Sequence, residues 1–246
     1  MNAKSLDVAN YYSQFEGVGW DLGLMHSALS KLDIPSDIKE SLESIPSATL
    51  LVLGSATERN IDQMAKIDQT LRPGLSYNDS VLMIDYNHYP MQRHQQRWKW
   101  IEGTVRTDEQ SAHLPYPEYM FVQADMKQLP ISDDLIDVAV SDYTLNFFDD
   151  YSDVQAALAE VARVLKPGGI LLLSAAGHEQ IDPTIPLEHL TIRNAQLKQR
   201  IGGSTTSQFP RQFYEKAAQD SGFDIRVNAS TSKDLVCSIL QKPFSS

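Results

Sequence analysis

The sequence predicts an α/β fold: a mostly parallel sheet with helices on both faces, closed by an antiparallel hairpin and preceded by a helical cap. Three observations predict it. Short, continuously apolar runs recur with helical stretches between them, the pattern of parallel strands buried on both faces. Asp153 to Lys166 places Val154, Ala157, Leu158, Val161, Val164 and Leu165 close to a 3.6-residue period. The last two apolar runs are separated only by the polar segment Ala229 to Lys233, which suits a hairpin between antiparallel neighbours.

Taken in order, the first 45 residues carry Tyr11, Tyr12, Phe15 and Trp20, read as helical, and lie outside the alternation. They are expected to cap the sheet, which residues 46–246 build. Within them, Ser36 follows Pro35 and starts a short helix over Asp37 to Ser44. The expected parallel strands are Thr49 to Leu53, Val81 to Asp85, Tyr119 to Gln123, Ile136 to Ser141 and Ile170 to Ser174. Arg59 to Thr70 reads as the helix after the first of them. The helix over Asp153 to Lys166 stops at Pro167-Gly168-Gly169, residues that cannot continue it. Phe223 to Asn228 and Asp234 to Leu240 form the closing hairpin, making seven strands. Two segments fall between these elements. Arg93 to Trp100 mixes cations with two indoles and either stacks on a flat ligand or, the favoured reading, forms an amphipathic helix with its tryptophans inward. Glu102 to Glu118, with Pro115 and Pro117, reads as a surface excursion.

At roughly 150 residues per domain, 246 residues allow one elaborated domain or two; the strand count selects one sheet domain with its cap. Acidic side chains outnumber basic ones 32 to 21, and a net charge of −11 sets a general repulsion against phosphate backbones and anionic membranes. No apolar run approaches the roughly 18 residues of a membrane span, and Met1 to Asn10 has no secretory core. A cytoplasmic protein without nucleic-acid or membrane partners is therefore expected. The single cysteine, Cys237, reads as a small core residue within a strand. The six histidines include no pair at i, i+4 beside a glutamate, so no metal site is expected.

Ligands of open parallel sheets bind beyond the carboxyl ends of the strands, near the switch in strand order. The first such end, Leu53-Gly54-Ser55-Ala56-Thr57-Glu58, is a small-residue turn that lets a ligand approach the backbone. The second ends in Asp85, followed by Tyr86; a carboxylate there accepts hydrogen bonds from ribose hydroxyls. Ala124-Asp125-Met126 and Ser141-Asp142-Tyr143 follow the third and fourth strands, and Ala175-Ala176-Gly177-His178 the fifth. His178 is either a general base within reach of an acceptor hydroxyl or, the favoured reading, an exposed loop residue.

This series, with Glu160-Val161-Ala162-Arg163-Val164-Leu165-Lys166-Pro167-Gly168-Gly169 feeding a strand, resembles the class I S-adenosylmethionine-dependent methyltransferases over about Thr49 to Leu240. The resemblance implies a Rossmann-like seven-stranded methyltransferase sheet, whose terminal hairpin sets it apart from dinucleotide-binding dehydrogenases. It implies that Gly54, Ser55, Ala56 and Thr57 form the cofactor turn, that Asp85 holds the ribose with Tyr86 beside it, and that Asp125 holds the adenine amino group with Met126 against the ring. Ser141 and Asp142 would line the methionine end. The family's glycine turn has an acidic residue and two further glycines where this chain has Val52, Ala56 and Glu58. A variant branch with Leu-Gly-x-Thr-x-Glu in this turn is more similar, matching Leu53 and Gly54, with Thr57 and Glu58 adjacent where that pattern has one residue between them.

The activity so implied is in-line transfer of a methyl group from S-adenosylmethionine to a small-molecule acceptor, leaving S-adenosylhomocysteine. Asp142 and His178 are the candidates to take a proton from the acceptor. Tyr11, Tyr12, Trp20 and Tyr143 either form an aromatic lid over cofactor and acceptor or pack onto the sheet. The chain lacks the Asn/Asp-Pro-Pro-aromatic signature of adenine methylation and a cysteine placed for covalent base methylation, which disfavours a nucleic-acid acceptor. A homodimer is allowed. The altered turn also motivates an alternative, a methyltransferase-like binding or regulatory protein without catalysis.

Overall fold

The computed structural model describes residues 33–54, 80–86, 118–178, 184–191, 196–199, 205–232 and 235–244. Its elements are α1 (Ser36–Glu43), β1 (Thr49–Leu53), β2 (Ser80–Asp85), β3 (Glu118–Gln123), β4 (Ile136–Asp142), α2 (Tyr151–Val164), β5 (Leu165–His178), β6 (Gln196–Gln199), β7 (Thr205–Pro210), α3 (Arg211–Asp220), β8 (Asp224–Ser232) and β9 (Leu235–Gln241). A 3₁₀ turn, Thr144–Phe147, follows β4, and another covers Leu187–His189.

Strands β3, β2, β1, β4 and β5 lie side by side in that order and pair in parallel. Beyond β5 the sheet continues through β9, antiparallel to β5, and then β8, antiparallel to β9. Strand order reverses between β1 and β4, so the ligand-binding crevice of such a sheet falls at the carboxyl ends of these two strands.

Both faces are covered, which is why the strands read as unbroken apolar runs. On one face α1 sets Ile38 and Leu42, with the preceding Ile34, against Leu50, Val52, Met83, Val140 and Leu172. On the other, α2 and α3 bury Val154, Leu158, Val161, Phe213 and Ala217 against Leu53, Ile84, Ala139 and Leu173. Each such aliphatic or aromatic side chain contributes roughly 1.5–3 kcal/mol by leaving water. Of the first 45 residues, those from 33 onward are described, and α1 belongs to this sheet core. The expected helices over 59–70 and 93–100 lie outside the described residues.

The structure corrects the strand count from seven to nine among the described residues. The additional pair is the β6–β7 hairpin, whose β7 joins the tip of β5 in parallel at Gly177↔Phe209 and His178↔Pro210. Its sequences, QLKQ and TTSQFP, carry no apolar run, so hydropathy passes over them. Strand β5 starts at Leu165, directly after α2, and takes in the expected break at 167–169. Gly168 sits there at φ +80°, where a Cβ would stand 2.3 Å from the Phe244 ring. Mutual bonds Gly168 N–H to Lys242 C=O and Lys242 N–H to Gly169 C=O, both 2.9 Å, carry the pairing through the glycines. Likewise β8 extends to Ser232, so most of the polar stretch expected as a turn is strand. The helix over 153–166 is displaced to 151–164, because Asp150 caps it by accepting the Asp153 N–H at 3.0 Å.

Two polar ties lock the opposite, amino-terminal side of the sheet, where the strands begin. Asp137, 5% exposed, accepts Lys166 Nζ at 2.7 and 2.9 Å and the Thr49 N–H at 2.8 Å, joining the starts of β1, β4 and β5. Arg163 on α2 donates to Glu160, Asp133 and the carbonyls of Leu129 and Ile131, binding the β3–β4 connection to the helix.

Candidate functional site

The carboxyl ends of β2, β1 and β4 lie level. Leu53 pairs with Ile84 on one side and Ser141 on the other, so Asp85, Gly54 and Asp142 come one step beyond, side by side. Alternation places Asp85 and Asp142 on the same face as Met83 and Val140, the α1 face. Two inter-strand spacings separate them, about 10 Å. Gly54 contributes no side chain between them.

Gly54 closes β1 by donating its N–H to the Ile84 carbonyl at 2.9 Å and then turns at φ +68°. A Cβ there would lie 2.2 Å from Thr144 Oγ1, so both conformation and space require glycine. Thr144 donates its hydroxyl to the Leu53 carbonyl at 2.9 Å and thereby pins the turn after β4 over the end of β1. Asp85 is 6% exposed, a nearly buried carboxylate at the strand end, and its carbonyl accepts the Ala124 N–H at 3.0 Å. Tyr86 is exposed, its carbonyl accepting Gln123 Nε2 at 3.0 Å.

After β3, Asp125 accepts the Lys127 N–H at 2.9 Å through its carboxylate, an Asx turn that holds the loop. Met126 is buried in the core on the α2 face. Lys127 reaches Asp153 at 2.7 Å, and that hydrogen bond raises its pKa.

At the end of β4, Ser141 is fully buried, and its Oγ has no hydrogen-bond partner among the described residues. Asp142 accepts the Ser174 hydroxyl through Oδ1. Tyr143 follows in the left-handed region at φ +59°, a strained position for a non-glycine residue. Next, Asn146 is wholly buried, and its carboxamide replaces β4 as the partner of β5: Oδ1 accepts the Ala176 N–H at 2.9 Å and Nδ2 donates to the Ala176 carbonyl at 3.1 Å. Nδ2 also reaches the Ser207 carbonyl at 2.6 Å and Tyr214 Oη at 3.1 Å.

Of the expected site residues, the structure therefore brings Gly54, Asp85, Ser141 and Asp142 to one edge of the sheet, with Tyr143 at its rim and Asp125 and Met126 after the adjacent strand. His178 is the last residue of β5, so its backbone is strand rather than loop. Ser55, Ala56, Thr57, Tyr11, Tyr12 and Trp20 lie outside the described residues. Thr144, Asn146 and Ser174 escaped the sequence reading. The only available signal was their place beside strand ends.

A sheet ordered 3-2-1-4-5 with an antiparallel closing pair, and small and acidic residues at its switch point, defines a nucleotide-type α/β protein of the methyltransferase architecture. Residues 74–173 match the family model described as a methyltransferase domain. A 58-residue stretch is 36% identical to the malonyl-[acyl-carrier protein] O-methyltransferase of Buchnera aphidicola subsp. Baizongia pistaciae; it covers 24% of this chain and spans only 22% of that relative. Among solved structures, a SAM-dependent methyltransferase from Methanosarcina mazei is similar with a TM-score of 0.58 and 17% identity, over 87% of this chain and 100% of that one. A putative S-adenosylmethionine-dependent methyltransferase from Listeria monocytogenes gives 0.55 and 13% identity, over 89% and 97%. The [4+2]-cyclase SpnF gives 0.58 and 12% identity, over 91% and 93%, so one fold carries more than one chemistry.

Proposed function

We propose that the chain binds S-adenosylmethionine at the carboxyl edge of β1, β2 and β4 and transfers its methyl group to a small-molecule acceptor. The observation that carries this reading is the row of Asp85, Gly54 and Asp142: two carboxylates flanking a side-chain-free turn at the switch point. These residues fit the cofactor. Asp85 is an acceptor for a pair of ribose hydroxyls, and Asp142 provides negative charge for a cationic ligand. The Ser141 Oγ, unpartnered among the described residues, is a further polar group held at that edge.

When bound, S-adenosylmethionine supplies a methyl group on a sulfonium, which is already a strong electrophile. What this chain's residues have to do is align the acceptor, exclude water and take a proton from a hydroxyl or amine. Asp142 at the rim of the edge is the residue for the proton, with His178 at the tip of β5 as the other candidate. The net charge of −11 supports a small acceptor over a polyanion. The acceptor of the Buchnera relative, malonyl-[acyl-carrier protein], gives carboxylates a place in an acceptor screen.

Isothermal titration with S-adenosylmethionine and S-adenosylhomocysteine tests the reading. Saturable heat and a rise in melting temperature are expected with both. Neither heat nor shift at millimolar ligand would leave the alternative, a methyltransferase-like binding or regulatory protein, which the apolar Val52, buried in β1 just before the turn, favours.

A further inference from the structure

Ser174 ends the stretch of β5 paired with β4, and its side chain is fully buried. Its register partner is Asp142, and alternation puts both on the α1 face with Val140 and Leu172. The hydroxyl makes two bonds of opposite sense. It accepts the Tyr143 N–H at 3.2 Å, and it donates to Asp142 Oδ1. The first bond occupies a lone pair and so stops the hydroxyl rotor, which leaves the hydrogen directed at the carboxylate.

The same Tyr143 N–H also reaches the Ser174 carbonyl at 3.1 Å. Tyr143 at φ +59° is held in a backbone region that persists only where the surroundings over-determine it. A bifurcated hold from one residue of the neighbouring strand supplies that determination.

We propose that Ser174 is a positioning residue for the cofactor site, acting through Asp142: its hydroxyl fixes the carboxylate in the orientation that meets the cofactor's cationic methionine end. The inference rests on the cofactor reading above. A carboxylate tethered by a charge-assisted bond is ordered before the ligand arrives, so binding does not have to supply that ordering. Asp85 has no such role for Ser174, since it lies two strands further along the edge.

The test is a double-mutant cycle read by titration with S-adenosylhomocysteine, with the melting temperature of each ligand-free variant measured alongside. Ser174→Ala is expected to weaken binding about tenfold. Ser174→Thr, which keeps the hydroxyl, should stay within about threefold of the parent, a rescue that volume alone does not explain. In an Asp142→Ala background, Ser174→Ala should add less than about twofold, because its partner is gone. Unchanged affinity in Ser174→Ala would overturn the proposal. So would an equal loss with and without Asp142, which would reduce Ser174 to a structural role. Failure of the parent protein to bind S-adenosylhomocysteine at all would strike the cofactor reading instead, before any variant is measured.

Discussion

Replacing Asn146 with alanine removes the clasp that holds the turn after β4 onto β5 and β7. The side chain is completely buried and all its polar atoms are engaged, to Ala176 N–H and C=O, Ser207 C=O and Tyr214 Oη. In Asn146→Ala the Tyr214 hydroxyl and Ala176 carbonyl keep each other at 3.4 Å. The Ala176 N–H and the Ser207 carbonyl lose the partner they have now. Withdrawing a partner from a buried backbone group costs about 1–3 kcal/mol. Two such groups give roughly 4 kcal/mol, which for a chain of this size lowers the melting temperature by about 8–16 °C. Urea titration followed by far-ultraviolet circular dichroism, with thermal melting, measures both quantities. Tyr214→Phe is the control: it removes one hydroxyl and should cost about 1 kcal/mol. A loss below about 1 kcal/mol in Asn146→Ala would refute the claim that the carboxamide substitutes for a strand.

Gly54→Ala should destabilise the protein by at least about 1–2 kcal/mol from its left-handed backbone alone, before the contact with Thr144 is counted; equal urea midpoints would contradict this. Asp85→Ala should weaken S-adenosylhomocysteine by about 1–3 kcal/mol in titration calorimetry through lost bonds to the ribose, and unchanged affinity would show the ribose held elsewhere. The Arg163 guanidinium, helped by the Leu129 N–H, holds Glu160 below the usual carboxylate range. A group with a lowered folded-state pKa contributes stability above its unfolded value, about 4.3, and loses it as pH falls through the lowered one. The melting-temperature gap between the parent and Glu160→Gln should therefore be widest near pH 6–7 and close towards pH 3; a gap independent of pH would count against the ion pair.

The central strands were legible because they are buried on both faces, so Thr49 to Leu53 and Ile136 to Ser141 spell themselves out as apolar runs. The places of Asp85 and Gly54 at the carboxyl edge were legible because one ends and the other directly follows a buried apolar strand. The β6–β7 hairpin was not, because its strands are polar and take their place from pairing at the tip of β5 rather than from hydropathy. Strand β5 was read short for a related reason: glycine and proline signal a break locally, while bonds between Gly168, Gly169 and Lys242 carry pairing straight through. Thr144, Asn146 and Ser174 act by hydrogen bonds to residues 91, 30 and 32 positions away. No local pattern encodes such a partner.

The most direct test of the account is a crystal structure of the protein grown with S-adenosylhomocysteine. Density for the ligand is expected along the carboxyl edge of the sheet, with the ribose hydroxyls on the Asp85 carboxylate and the homocysteine end between Gly54 and Asp142. A ligand bound on another face, or a fully occupied site in which neither Asp85 nor Asp142 touches it, would contradict it.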